Sequence, residues 1–284
     1  MTAYTPLQQA KYNALTREMR CEIADCIRQD NLEYVNQLQK PIIPKDTIYT
    51  RYIKRAFDIV LSGIALIITS PLNLVLLVCT VFDVGRPIIF KQVRMGRKGV
   101  PFHIIKFRNM TNERDSQGEL LPAAERVTRF GKFVRATSLD ELLNFWSIFK
   151  GDMSLVGPRP LKVQTAERLS IRHAARTEVR PGLECPVLQH LDHVETWDDR
   201  FENDVWYVEN VSLATDARML LDVVRMTFDM KERRMRAAAN GGGFVGYDRE
   251  GHALDLKSIP EKYLDEVLSR HGMLDDLGEV VVGA

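Results

Sequence analysis

Two carboxylates stand side by side at Asp140 and Glu141, in a segment that also carries Arg135, Ser138 and Arg159. Ser138 followed three residues later by Glu141 fits a capping box, and the apolar Leu142, Leu143, Phe145 and Trp146 follow it. The spacing predicts a helix from Leu139. Asp140 then lies in a first turn, where the helix dipole and free amides favour negative charge. Two readings share that geometry. In one, these residues only cap a helix, an arrangement worth about 1 kcal/mol. In the other, the helix start is an anion site and an ionised Asp140 attacks phosphorus. Glu141, turned by about 100° around the helix, would hold a divalent cation such as Mg²⁺. Lys106 and Arg108, at the end of a strand-like run, add positive charge, as do Arg135 and an Arg159 clamped between Pro158 and Pro160. A nucleophile, a divalent cation and fixed positive charge are the parts that phosphoryl transfer requires.

Such residues need a scaffold, and composition divides the chain into residues 1–50, 51–84, 85–236 and 237–284. The first segment is a polar, helix-prone extension that ends in a linker at Pro41 and Pro44. Its residues 8–38 predict an amphipathic helix that serves self-association, as in a homo-oligomer, or packs on the catalytic domain. Residues 85–236 mix charged helical stretches with strand-like runs at 87–93 and 100–107, which predicts a mixed α/β, mainly helical catalytic domain. Within it, residues 219–235 read as an amphipathic helix, either interfacial or core-facing. The last segment opens on Gly241, Gly242 and Gly243 and holds a helix at 260–271 with Pro260 in its first turn.

The second segment carries an uncharged apolar run over residues 59–82, long enough to span a bilayer. Ser70 and Pro71 sit at its middle. Proline lacks an amide donor and clashes with the preceding turn, so a break is expected there. Each half then reaches about 16 Å, half the hydrocarbon thickness. Arg51, Lys54 and Arg55 precede the run, and Arg86, Lys91, Arg94, Arg97 and Lys98 follow it. A spanning helix puts one basic cluster on the wrong side. The expectation is a re-entrant hairpin that enters and leaves one leaflet, with a proline-kinked span or a buried helix pair as alternatives.

Lys and Arg total 39 against 38 Asp and Glu, a net charge of +1, so nothing global marks a nucleic-acid binder. Cys21, Cys26, Cys79 and Cys185 fit no zinc spacing and point to a reducing compartment. The first residues are polar, which predicts no cleavable signal peptide.

Lys54-Arg55-x-Phe57-Asp58, Ser70-Pro71, Lys106-Phe107-Arg108-x-Met110, Ser138-Leu139-Asp140-Glu141-Leu142 and Gly151-Asp152-Met153-Ser154-Leu155-Val156-Gly157-Pro158-Arg159-Pro160 follow one another in that order. Arg180-Pro181-Gly182 and a run that includes Asp204 and Trp206-Tyr207-Val208-Glu209-Asn210 come after them. Over residues 52–234 this pattern resembles the bacterial sugar transferases, the monotopic polyprenyl-phosphate phosphoglycosyl transferases. The resemblance implies a re-entrant membrane helix broken at Ser70-Pro71, interfacial amphipathic helices, and a catalytic domain on the cytoplasmic face of the bacterial inner membrane. It implies transfer of a sugar-1-phosphate from a nucleotide-diphosphate sugar, of UDP type, to polyprenyl phosphate, initiating assembly of a surface glycan. Asp140 matches the nucleophile, Glu141 the Mg²⁺ ligand, Arg135 and Arg159 positions near phosphate and lipid headgroup, and Asp204 an acidic active-site position.

The pattern departs in two places. Leu143 stands where the family has proline, and residues 183–192 replace a segment in which the family carries an arginine at the place of Asp192. A charge reversal beside a diphosphate is costly unless the loop has another role. His190 and His193, three apart in that loop, read as surface polar residues rather than a metal pair. Two other classes stay open: a non-catalytic relative that binds lipid or glycan-assembly partners, and a transmembrane scaffold.

Overall fold

Thr16 opens the longest terminal helix, its hydroxyl accepting the Met19 amide at 3.2 Å. The computed structural model describes residues 6–116, 118–185, 195–228, 243–275 and 278–280. Its first half runs α1 (Pro6–Ala14), α2 (Arg17–Leu38), a π-helical turn (Tyr49–Ile53), α3 (Lys54–Val84), β1 (Ile89–Met95), β2 (Pro101–Phe107), α4 (Ala123–Arg126) and α5 (Arg129–Ala136). A 3₁₀ turn (Leu139–Glu141), α6 (Asn144–Lys150), β3 (Ser154–Val156), α7 (Val163–Ala166), a 3₁₀ helix (His173–Thr177) and β4 (Gly182–Glu184) follow. The rest is α8 (Trp197–Asn210), α9 (Leu213–Phe228), β5 (Phe244–Tyr247), β6 (Ala253–Asp255) and α10 (Glu261–Arg270). The protein is thus mixed α/β and mainly helical, as its patterning predicts.

Met19, Ile23, Ile27, Asn31 and Val35 recur at one-turn spacing on α2, and all are buried. Their partners come from the other end of the chain. Val245, Leu254, Tyr263, Leu264, Val267 and Leu268 complete the core begun by Leu15, Met19, Ile23 and Ile27. The two terminal segments, separate in sequence, therefore fold as one unit. Val35, Phe244 and Tyr247 join Leu169 and Phe201, which seats that unit on the catalytic domain. So α2 does pack on the catalytic domain, but chiefly through its union with the C-terminal segment.

The strand-like runs pair as an antiparallel hairpin, with Ile89 opposite Phe107 and Met95 opposite Pro101. Phe102 and Ile104 point from it into Ile148 and Met153, against α6. Residues 186–194, which contain His190, Asp192 and His193, lie outside the described residues, as do residues 229–235 of the second amphipathic stretch.

The apolar run forms a single helix, α3, with Pro71 inside it. This corrects the expected separation into two helices. The reason is local. Pro71 leaves the Ile67 carbonyl without its amide partner, and the Ser70 hydroxyl donates to that same carbonyl at 2.8 Å. Both ends of α3 are held by one domain. At the start, Lys54 pairs with Asp216 at 2.5 Å, Arg55 donates to the Ile148 and Phe149 carbonyls at the end of α6, and Asp58 accepts from Ser154 Oγ and the Leu155 amide. At the far end, Leu76 packs with Phe107 and Val134, and Asp83 accepts from Thr128, the cap of α5. Between them the surface is bare hydrocarbon: Ile67 is 75% exposed and Ile68 70%. An uncovered apolar helix of this length needs a non-aqueous partner.

Candidate active site

The turn that carries Asp140 and Glu141 is positioned by its apolar neighbours. Leu139, Leu142 and Leu143 sink into the cluster of Leu76, Phe107 and Val134. Asn144 Oδ1 then accepts the Ile105 amide at 3.1 Å, which fixes the turn against β2. The capping box does not form. Ser138 adopts a left-handed conformation, φ 56°, its side chain makes no cap hydrogen bond, and Leu139–Glu141 is a 3₁₀ turn. Glu141 is drawn away from the backbone by cations that are stronger partners than an amide. Its Oε1 meets Lys106 Nζ at 2.5 Å and an Arg159 guanidinium nitrogen at 2.5 Å.

Arg159 reaches Glu141 because its loop is pinned from behind. An added Cβ on Gly182 would lie 2.2 Å from the Gly157 nitrogen, so two glycines are needed for that backbone contact. Arg159 also donates to the Leu183 carbonyl at 3.0 Å. Its own carbonyl accepts from Arg176 at 2.8 Å.

Asp140 is 6% exposed. Burial pushes its carboxyl above the ordinary aspartate range, opposed by the Lys106 charge and reinforced by Glu141. Glu141 behaves differently. Burial would raise it, but Arg159 and Lys106 hold it below the usual glutamate range. Glu141 is thus a fixed anion, and Asp140 a carboxylate of raised basicity beside it.

Two further residues complete the site, and sequence reading missed both in this role. Arg94, on β1, donates to the Pro160 carbonyl at 3.2 Å and to Gln92 at 2.7 Å. Burial and the adjacent Arg159 charge lower its basicity, while Glu141 supports it. Asn109 is 7% exposed and joins Arg135 to Asp140, at 3.0 and 3.3 Å. The signal for Arg94 was strand pairing: Phe90 opposite Lys106 and Arg94 opposite Phe102 put Arg94 and Lys106 on one face. Asn109 was the unassigned position in Lys106-Phe107-Arg108-x-Met110.

Lys106, Arg94, Arg135 and Arg159 thus surround two carboxylates, an excess of positive charge suited to a phosphate anion. Two expected members stand elsewhere. Arg108 donates to the Val84 and Arg86 carbonyls and so closes the end of α3 instead of facing phosphate. Asp204, 2% exposed on α8, pairs with Arg176 at 2.9 Å. It acts behind the site, through Arg176 and the Arg159 carbonyl.

The donor set fits what Mg²⁺ would require. Both cations take Glu141 Oε1, which leaves Oε2 without a hydrogen bond to the described residues. Among those residues no cluster of three or more His, Cys, Asp and Glu exists. A site with one or two carboxylates, completed by substrate phosphates and water, is the usual Mg²⁺ arrangement.

Burial pushes the Asp204 carboxyl up to about 6, against the pull of Arg176 and Arg200. A carboxyl with a raised folded value contributes stability that is present at low pH and lost as pH rises through that value. Wild-type protein should therefore lose up to about 3 kcal/mol relative to Asp204→Asn between pH near 4 and pH above 6. Turnover of Asp204→Asn should fall through a slackened Arg176 and Arg159, with the fold intact. Thermal midpoints of both proteins at pH 5 and 7 test this, and an unchanged difference contradicts it.

Comparison with known proteins places this site in context. The description "Bacterial sugar transferase" matches residues 49–230. A Bacillus subtilis protein named "Uncharacterized sugar transferase EpsL" is 41% identical over 173 residues, 61% of this chain and 86% of that protein. A Klebsiella pneumoniae UDP-glucose:undecaprenyl-phosphate glucose-1-phosphate transferase is 36% identical over 179 residues, 59% of this chain and 38% of that one. For an undecaprenyl-phosphate galactose phosphotransferase of Salmonella typhimurium the identity is 36% over 194 residues, 62% of this chain and 40% of that one. The chain spans about two fifths of the length of these last two relatives.

Proposed function

This chain belongs to the bacterial sugar transferase family, and from that premise we propose that it moves a sugar-1-phosphate from a UDP-sugar to polyprenyl phosphate through a covalent aspartyl phosphosugar. The observation that carries the reading is the buried Asp140 carboxylate beside an ionised Glu141, inside a ring of cations. An Asp140 oxygen attacks the phosphorus attached to the sugar. The bond from that phosphorus to the bridging oxygen breaks, and nucleoside monophosphate leaves with the bond's electrons. An oxygen of the lipid phosphate then attacks the same phosphorus and expels Asp140, giving polyprenyl-diphosphate-sugar. The mixed anhydride is hydrolysable, so a buried Asp140 serves by excluding water.

Lys106, Arg94 and Arg159 neutralise the diphosphate as charge moves toward the leaving group. Glu141 would hold Mg²⁺, and the bound ion would supply further neutralisation of the phosphates. Relatives named for glucose and galactose transfer support a UDP-hexose as donor and undecaprenyl phosphate as acceptor. Incubating membranes with a panel of UDP-sugars and undecaprenyl phosphate tests the reading. Continuous UMP release over many turnovers, which needs both substrates, is expected; none with any nucleotide sugar counts against it.

We also propose that α3 enters and leaves one leaflet, with the domain on the cytoplasmic face. The support is that both ends of α3 are held by one domain while its middle is uncovered. Ser70 matters in this setting, since lipid offers no water to satisfy the Ile67 carbonyl. Cysteines placed near Arg51 and near Arg97 should label from the same side of the membrane. Labelling from opposite sides would establish a spanning helix.

A further inference from the structure

We infer that Asn109 is a positioning residue that sets which oxygen of Asp140 attacks, and that Arg135 serves the reaction by locking the Asn109 amide. The inference rests on the covalent reading above.

Asn109 lies between two elements that fix it. Its carbonyl is so close to α5 that an added Cβ on Gly131 would lie 2.2 Å from it. Gly131 is itself held by Thr128, whose hydroxyl accepts its amide at 2.8 Å. The backbone at residue 109 therefore lies directly against α5. From the last turn of that helix, Arg135 Nε donates to Asn109 Oδ1 at 3.0 Å, and a second guanidinium nitrogen lies 2.9 Å from Met110 Sδ.

An asparagine amide can be flipped, with oxygen and nitrogen exchanged. Here the partner decides. A guanidinium has only donors, so the Asn109 oxygen must face Arg135. The Nδ2 group then has to face Asp140, and it donates to Oδ2 at 3.3 Å. Asn109 thus holds Oδ2, which makes the two oxygens of Asp140 inequivalent and assigns the attack on phosphorus to Oδ1. A carboxylate free to rotate would spend time in unproductive orientations. A fixed one is already aligned with the bond to be formed. No covalent step is added. Asn109 keeps its protons, and Asp140 makes and breaks the phosphorus bond as before.

The test uses the full chain in detergent or nanodiscs, with UDP-sugar and undecaprenyl phosphate. Asn109→Asp keeps the shape and the acceptor for Arg135 but replaces the donor to Asp140 by an oxygen. Its kcat should fall by about 100-fold, while the KM for UDP-sugar stays within about twofold. Arg135→Met should lower kcat in the same way, and the double variant Asn109→Ala with Arg135→Met should be no slower than Asn109→Ala alone. Arg135→Met also decides the matter if the residue-109 variants do not fold. A wild-type kcat in Asn109→Asp, a raised KM in Arg135→Met, or additive losses in the double variant would overturn the inference, the last two marking Arg135 as a direct phosphate ligand. Asp140→Asn in the same assay separates the two levels. If it turns over, the covalent reading falls; if it is dead while Asn109→Asp is wild type, only the role of Asn109 falls.

Discussion

Asp140→Asn is expected to abolish turnover while leaving the protein at least as stable as wild type. A carboxamide is a far poorer nucleophile, and loss of a covalent nucleophile costs on the order of 10⁴-fold or more. The stability expectation follows from burial, which raises the carboxyl above its ordinary range. Its contribution to stability is then present at low pH and lost as pH rises through the folded value, so at neutral pH the ionised carboxylate is a burden. Asparagine removes that charge and keeps the shape. The same shift sets the acid limb of wild-type activity. Turnover should begin to fall, as pH is lowered, above the range near pH 4 where an ordinary aspartate protonates. Activity and thermal denaturation of the two proteins check both halves. A stable, active variant would remove Asp140 from the chemistry, and an inactive, unfolded one would reduce it to a structural residue.

Glu141→Gln is the second large effect. The carboxylate is shared by Lys106 and Arg159, both on Oε1. Glutamine keeps an acceptor but loses the charge that holds two cations and would hold Mg²⁺. Loss of one preorganised electrostatic group costs on the order of 10²–10³-fold in kcat. Because the defect lies partly in ion binding, high Mg²⁺ should recover some of that loss. A Mg²⁺ titration of wild type and variant reads this as a shift to higher concentration. An unchanged titration and unchanged turnover would leave Glu141 with no part in either.

The elements that position this site were legible where the signal is local. The strand-like runs at 87–93 and 100–107 are the two strands at 89–95 and 101–107, whose pairing only the structure shows. The apolar run became a helix, and Lys54, Arg55 and Asp58 are explained as its anchors. Errors came where a tertiary partner outcompeted a local one. Ser138 and Glu141 have the spacing of a capping box, yet Lys106 and Arg159 claim the glutamate. Arg108 is one residue past the strand end and turns to the carbonyls that close α3. Ser70 and Pro71 read as a break because proline removes a donor, but the neighbouring hydroxyl supplies another. The union of the N-terminal and C-terminal segments could not be read at all. Nothing in a local pattern links Ile23 and Ile27 to Tyr263 and Val267 more than two hundred residues away.

The identity of the attacking group is tested most directly without the lipid. Purified protein given only UDP-sugar and Mg²⁺ should release one equivalent of UMP and stop. Intact-protein mass spectrometry should then show the mass of one phosphosugar, located by fragmentation on Asp140. Addition of undecaprenyl phosphate should discharge that mass and restart UMP release. UMP release that strictly requires lipid, with no adduct at any stage, would instead mean direct transfer between the two substrates and would contradict the covalent account.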